Sequence, residues 1–203
     1  MPLEPVVRKL VLTVAAATAI FLVTIATGCS AGCSVSVSIG HKKTGGTYHD
    51  HGVSFKIPKG WSRLARLTTQ TKAGNEIWTA GFAPRSGSDL VAVTAYATNV
   101  TVTGANVARY AQPIAAELCN LVTSTGGTVL SGPTLTSAGG MPGYRFQTTL
   151  RGNSGEKLKS WMILIWNGRT EYFFNCQHEA QSSSATEIER GCTTITNSFR
   201  LAG

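Results

Sequence analysis

The sequence lacks the short signatures that mark most enzyme active sites. No Gly-x-Ser-x-Gly elbow stands between a predicted strand and a helix, and no pair of carboxylates is placed for glycoside hydrolysis. The glycine pairs Gly126-Gly127 and Gly139-Gly140 are typical of turns and lack the strand-to-helix setting of a phosphate loop. Charged residues make up only 14% of the chain, and there is no internal repeat. We therefore expect neither an enzyme nor a cofactor.

The N-terminal segment has the pattern of an export signal that ends in a cysteine. Arg8 and Lys9 precede an apolar run from Leu10 to Ala26, which leads into Ala26-Thr27-Gly28-Cys29. These four residues resemble the bacterial lipobox, with Ala26 where leucine is usual. We predict that residues 1–28 are a lipoprotein signal peptide. Fatty acyl chains such as palmitate on Cys29 would then hold the protein at the outer face of the cell membrane.

Three alternatives to this interpretation remain open. Ser30-Ala31-Gly32-Cys33 is a second, weaker lipidation candidate. A retained transmembrane anchor would use the same apolar run, and a plain secreted protein would lose it without gaining lipid.

The chain is basic, with 18 Lys and Arg against 10 Asp and Glu and a net charge of +8. A basic exported surface is attracted to an anionic membrane or wall polymer. Nucleic acid is not an expected partner, because the chain is exported and its cations are scattered. The densest clusters, Lys42-Lys43 and Lys157-x-Lys159, are short and are interpreted as solvated surface charge.

The remaining chain has the length of one domain. We interpret residues 29–47 as a flexible tether, rich in Ser, Gly, Lys and Thr, and residues 48–203 as a single folded domain. Alternation and β-branched runs predict strands over residues 53–57, 77–82, 90–96, 128–130, 143–150, 158–166 and 170–176, with a short edge strand at 199–201.

Two helices separate these strands. Apolar residues three and four apart predict one helix over 104–123, interrupted by Pro113. The other is predicted over Ser184–Ser198, with Ser184 and Glu187 as a capping box. Asn167-Gly168 is the best hairpin signal, since both residues tolerate a type I′ turn. This order predicts an α+β domain with a mainly antiparallel sheet flanked by at least two helices.

The two ends of the domain resemble the PsbP-like (Mog-like) superfamily and the exported actinobacterial lipoproteins similar to it. The resemblance rests on Gly52-Val53-Ser54-Phe55-Lys56-Ile57-Pro58-Lys59-Gly60-Trp61 at the start and on Asn197-Ser198-Phe199-Arg200 at the end. It implies an α/β/α sandwich and a role in binding or assembly, and it brings no catalytic residues.

The cysteines of an exported protein are free to form disulfides. Cys176 ends a predicted strand and Cys192 lies on the helix that follows, so we favour a bond between them over two buried free thiols. For Cys119, beside the apolar stripe of the first helix, a buried free thiol and a bond to Cys33 stay open as alternatives.

The leading functional hypothesis is a membrane-anchored binding or accessory lipoprotein with a protein or cell-envelope partner. A weaker alternative is a metal or small-ligand carrier that uses His49 and His51, which share one face of an extended chain. His41 and His178 would join such a site only through the fold. The last alternative is an envelope hydrolase with a serine or carboxylate beside His178.

Overall fold

A computed structural model describes residues 45–65, 75–85, 87–124, 126–152 and 155–202. The predicted signal peptide, nearly all of the predicted tether, and with them Cys29, Cys33 and His41, lie outside the described residues. Within those ranges, no helix has the length and apolar character needed to cross a membrane.

The described residues form nine strands and two α-helices, in the alternation that the sequence predicts. The elements are β1 (Gly46–Asp50), β2 (Val53–Ile57), β3 (Ser62–Arg63), β4 (Glu76–Ala83), β5 (Leu90–Val102), α1 (Ala111–Ser124), β6 (Thr128–Ala138), β7 (Met141–Arg151), β8 (Lys157–Glu179), α2 (Ala185–Ser198) and β9 (Arg200–Leu201).

Two antiparallel sheets carry these strands. The larger has six strands in the order β3-β4-β5-β8-β7-β6, and the smaller has three in the order β1-β2-β9. The prediction of an α+β domain with a mainly antiparallel sheet is confirmed. Strand β5 is central in this sheet, because it pairs with β4 on one side and with β8 on the other.

Strand β8 is one run of extended residues that folds back on itself. Its first part pairs with β7 and its second part with β5. The Ala180 amide donates to the Lys157 carbonyl oxygen at 2.8 Å, which a straight strand of this length would place far apart. The predicted hairpin at Asn167-Gly168 is therefore present. Of the two turn residues, only Gly168 has a positive φ, of 60°. A type I′ turn needs a positive φ at both residues, so the turn is not of the expected type.

Hydrophobic clusters cover both faces of the six-stranded sheet. Along β5, Leu90 and Ala92 belong to the cluster under α1, whereas Val91 and Val93 belong to the cluster under α2. This alternation follows from the two-residue period of a strand that is covered on both faces. All members of both clusters lie between Tyr48 and Phe199, so the described body contains its own cores.

Helix α1 begins later than the spacing predicts. Val107–Tyr110 forms a 3₁₀ turn, and the α-helix starts at Ala111. Pro113 then stands in the first turn, where its missing N–H removes no helical hydrogen bond, so it does not interrupt the helix. Ile114, Leu118 and Val122 are buried against the sheet.

Helix α2 begins one residue after its predicted start, ends at the predicted Ser198, and lacks the predicted cap. Ser184 stands at the N-cap position without a side-chain cap hydrogen bond, so the capping-box prediction is wrong. The Glu187 carboxylate instead accepts a hydrogen bond from Trp61 Nε1 at 3.2 Å. The Trp61 ring also lies against Gly191, where an added Cβ would come within 2.2 Å of it. Glycine at this position lets α2 approach the start of the domain closely.

The three-stranded sheet joins the first and last strands of the described domain. Strand β1 begins at Gly46, two residues before the predicted domain start, and pairs along its length with β2. Strand β9 pairs with β2 on the other side, which confirms the expected short edge strand at the C-terminus. The sheet packs with α2 over one face of the larger sheet.

Candidate functional site

The cysteines that the structure describes are placed in two different settings. Cys176 on β8 and Cys192 on α2 form a disulfide between residues 16 positions apart in sequence, and both side chains are buried. This bond ties α2 to the larger sheet, where Cys176 is paired with Val91 of β5. Cys119 is an exposed free thiol on α1, so the alternative of a buried thiol is wrong. A bond from Cys119 to Cys33 stays a prediction, since Cys33 lies outside the described residues.

The histidine pair does not keep the geometry on which the metal hypothesis rested. His49 is exposed on β1, but the strand ends at Asp50 and His51 turns away with a φ of 52°. The His51 ring stacks on Trp78 at 5.2 Å, and its Nε2 lies 3.5 Å from the Asp50 carboxylate. Across the five described ranges, no three His, Cys, Asp or Glu side chains are grouped to hold a metal ion.

His178 lies between β8 and α2 with only 5% of its surface exposed. Its Nδ1 is 2.8 Å from the Glu179 carbonyl oxygen, and its Nε2 is 3.7 Å from the Glu189 carboxylate. The Glu189 carboxylate therefore lies close to His178 but beyond hydrogen-bond distance, whereas the hydrolase alternative required a serine or carboxylate within hydrogen-bond reach. The Glu189 contact joins β8 to α2, whereas the Glu179 contact is with the next residue of β8.

Glu171 is a fully buried carboxylate in the face under α1. Trp166 Nε1 donates to Glu171 Oε2 at 3.0 Å, while Glu171 Oε1 has no hydrogen-bond partner among the described residues. Burial raises the pKa of Glu171 from 4.5 to about 7, partly offset by the Trp166 hydrogen bond. Tyr96 lies opposite Glu171 on β5, and burial raises the pKa of that tyrosine as well. Sequence reasoning missed this group, although a lone acidic residue inside an apolar strand is an unusual signal.

On the α2 side, the outer end of the larger sheet carries a row of cations, which we call the cationic face. It consists of Arg145, Arg151, Lys157 and Lys159, all exposed, with the half-buried Gln147 and Trp161 between them. The register pairs Gln147 with Trp161, Thr149 with Lys159, and Arg151 with Lys157. Directly paired residues point to the same face, so these side chains form one surface.

Contacts within the cationic face agree with the register. The Arg145 guanidinium lies 5.5 Å from the centre of the Trp161 ring. Trp161 also packs against the core under α2, which fixes the position of its ring. On the neighbouring edge strand β6, the paired positions are Thr128, Ser131 and Thr134, all short and exposed. Among the described residues at these paired positions of β6, β7 and the first part of β8, none between Thr128 and Trp161 is acidic.

The sequence contains only part of the signal for this surface. Lys157-x-Lys159 is visible as a cluster, but Arg145 and Arg151 join it only through the pairing of β7 with β8. The second half of β6 was missed because Gly132-Pro133 interrupts the strand pattern, and in the structure two register shifts around this dipeptide accommodate it.

No protein-family model and no curated protein sequence matches the chain. Solved structures with the same fold are found instead. The chain is similar to LpqN of Mycobacterium tuberculosis, a protein involved in cell envelope biogenesis, with 12% identity and a TM-score of 0.51 over 80% of this chain and 88% of that chain. It is also similar to the cyanobacterial PsbP protein of Synechocystis sp. PCC 6803, with 13% identity and a TM-score of 0.53 over 86% of this chain and 98% of that chain. The chain thus has a PsbP-like fold, which confirms the fold implied by the resemblance at the two ends of the domain.

Proposed function

We propose that this protein is an exported accessory protein of the cell envelope that acts by binding a partner and not by catalysis. Lipid on Cys29 would hold it at the outer face of the cell membrane, and the domain that begins near Gly45 would carry the binding surface. The observation that carries the proposal is the exposed cationic face on an otherwise well-packed domain.

The cationic face supports binding because its cations are not neutralised by acidic neighbours at the paired positions of the same surface. Its four cations are exposed, so a partner can reach them without rearrangement of the core. The shared fold with LpqN, whose described role is in cell envelope biogenesis, agrees with an envelope location. The N-terminal pattern of Arg8, Lys9, the apolar run and Cys29 agrees with export and anchoring.

The anchoring step is tested by metabolic labelling with a radiolabelled fatty acid. We expect the wild-type protein to incorporate label and Cys29→Ser to lose it, because the thiol of Cys29 is the proposed acyl acceptor. Cys33→Ser is the matched control and should keep the label. Continued labelling of Cys29→Ser together with loss in Cys33→Ser would move the anchor to the second cysteine, and absence of label in the wild type would reject lipidation.

A further inference from the structure

We propose that the cationic face binds an anionic polysaccharide, a sugar polymer that carries phosphate or carboxylate groups. This inference rests on the proposed function and names the chemistry of its partner. Binding to a purified polymer does not depend on acylation, so failure of this inference and failure of the anchoring proposal are separate results.

The spacing of the cations fits charges repeated along a polymer. Arg145 and Arg151 are six residues apart on β7, roughly 20 Å along an extended strand. Lys159 and Lys157 lie beside the intervening part of β7, opposite Thr149 and Arg151. Arg151, Lys157 and Lys159 are therefore grouped at one end of the face and Arg145 lies at the other, so the positive charge extends over a length that spans several units of an extended polymer.

The centre of the face adds groups that suit sugar rings. Trp161 supplies an aromatic ring held by core packing, and the Gln147 amide beside it both donates and accepts hydrogen bonds. Arg145 lies over the Trp161 ring, which leaves its in-plane N–H groups for a carboxylate or phosphate. A surface that binds its partner through charge alone would need neither the Trp161 ring nor the Gln147 amide.

A membrane surface fits this face less well. Interfacial binding uses exposed apolar side chains together with cations. The large exposed apolar side chains of the described residues are Ile77, Leu130, Leu135 and Leu201, and none of them occupies a paired position of the cationic face. Leu135 pairs with Tyr144, whose side chain belongs to the core on the opposite face of the sheet.

The test is titration calorimetry of the full-length protein in neutral detergent at low salt. The probes are polygalacturonate as the anionic polysaccharide, dextran as a neutral polysaccharide, and polyphosphate as a polyanion without sugar. We expect polygalacturonate to bind more tightly than polyphosphate and dextran not to bind. Added salt should weaken the binding, because exposed charges are screened.

The variant Arg145→Gln/Lys159→Gln removes two cations from the face. Lys157 is left unchanged, because it follows the acidic residue Glu156 directly in sequence. We expect its dissociation constant for polygalacturonate to rise about tenfold, since two charge-assisted contacts are lost. The matched control Lys56→Gln/Lys59→Gln removes two exposed cations around the end of β2 and should bind like the wild type. Gln147→Ala should weaken polygalacturonate binding while leaving polyphosphate binding unchanged.

The inference is overturned by any of four results. These are absence of binding, equal weakening in the Lys56/Lys59 control, polyphosphate binding as tight as polygalacturonate binding, and displacement of polygalacturonate by phosphatidylglycerol added to the micelles. Equally tight polyphosphate binding would mean that the face recognises charge alone. Displacement by phosphatidylglycerol would mean that a lipid surface occupies the face.

Discussion

Raising the pH from 5 to 8 should lower the free energy of unfolding by about 3 kcal/mol through Glu171 alone. The pKa of Glu171 is about 7 in the folded protein, against an ordinary value of 4.5. Between these two values the unfolded chain has released the proton while the folded chain keeps it. Stability therefore falls as the pH rises through this window, by about 1.4 kcal/mol per pH unit, and levels off above the folded pKa.

Urea denaturation of a chain that starts at Gly45 measures this loss, and Glu171→Gln isolates it. The variant keeps a side-chain oxygen for the Trp166 N–H but cannot ionise, so the loss between pH 5 and pH 8 should shrink to what other groups contribute. Subtraction of the two profiles removes the contributions of the groups that both proteins share. Glu117→Gln on α1 is the control and should keep the wild-type profile. An unchanged profile in Glu171→Gln would contradict the assignment.

Removing the disulfide should destabilise the domain by a similar amount. A bond that closes a loop of this size lowers the entropy of the unfolded chain, which stabilises the fold by about 3 kcal/mol. In Cys176→Ala/Cys192→Ala the urea midpoint should fall accordingly. Alanine is chosen because it leaves no buried polar group behind. The unfolding transition should still be cooperative, since both hydrophobic clusters remain.

Reduction provides the check on the disulfide effect. A phosphine reductant should lower the urea midpoint of the wild type and leave the double-alanine variant unchanged. The matched control is Cys119→Ser, which removes an exposed free thiol and should respond to reduction like the wild type. A wild-type midpoint that does not change on reduction would mean that the bond contributes nothing to stability.

Local patterns predict most of the larger sheet because its central strands are buried on both faces. The runs from Leu90 and from Thr170 are apolar enough to be identified as strands. The dipeptide Asn167-Gly168 marks the short turn that joins the Thr170 strand to the strand before it. The first and last segments of the domain were predictable for another reason. The Gly52–Trp61 stretch and Asn197–Arg200 keep the order of a known fold, and the structure pairs β2 with β9.

Features that depend on distant residues were not predictable in the same way. Glu187 has the position of a capping residue, but Trp61 lies 126 positions away in sequence and binds its carboxylate instead. His49 and His51 are adjacent on an ideal strand, yet stacking on Trp78 accompanies a turn that ends the strand between them. The cationic face follows the same rule, because its members meet only after β7 and β8 are placed side by side.

The most direct test of a lipid-anchored binding domain is the intact mass of the protein extracted from the membranes of the cells that produce it. We expect a chain that begins at Cys29 and carries a diacylglyceryl group with additional acyl mass. A protein recovered from the soluble fraction without acyl mass, or one that retains residues 1–28, would contradict anchoring through Cys29.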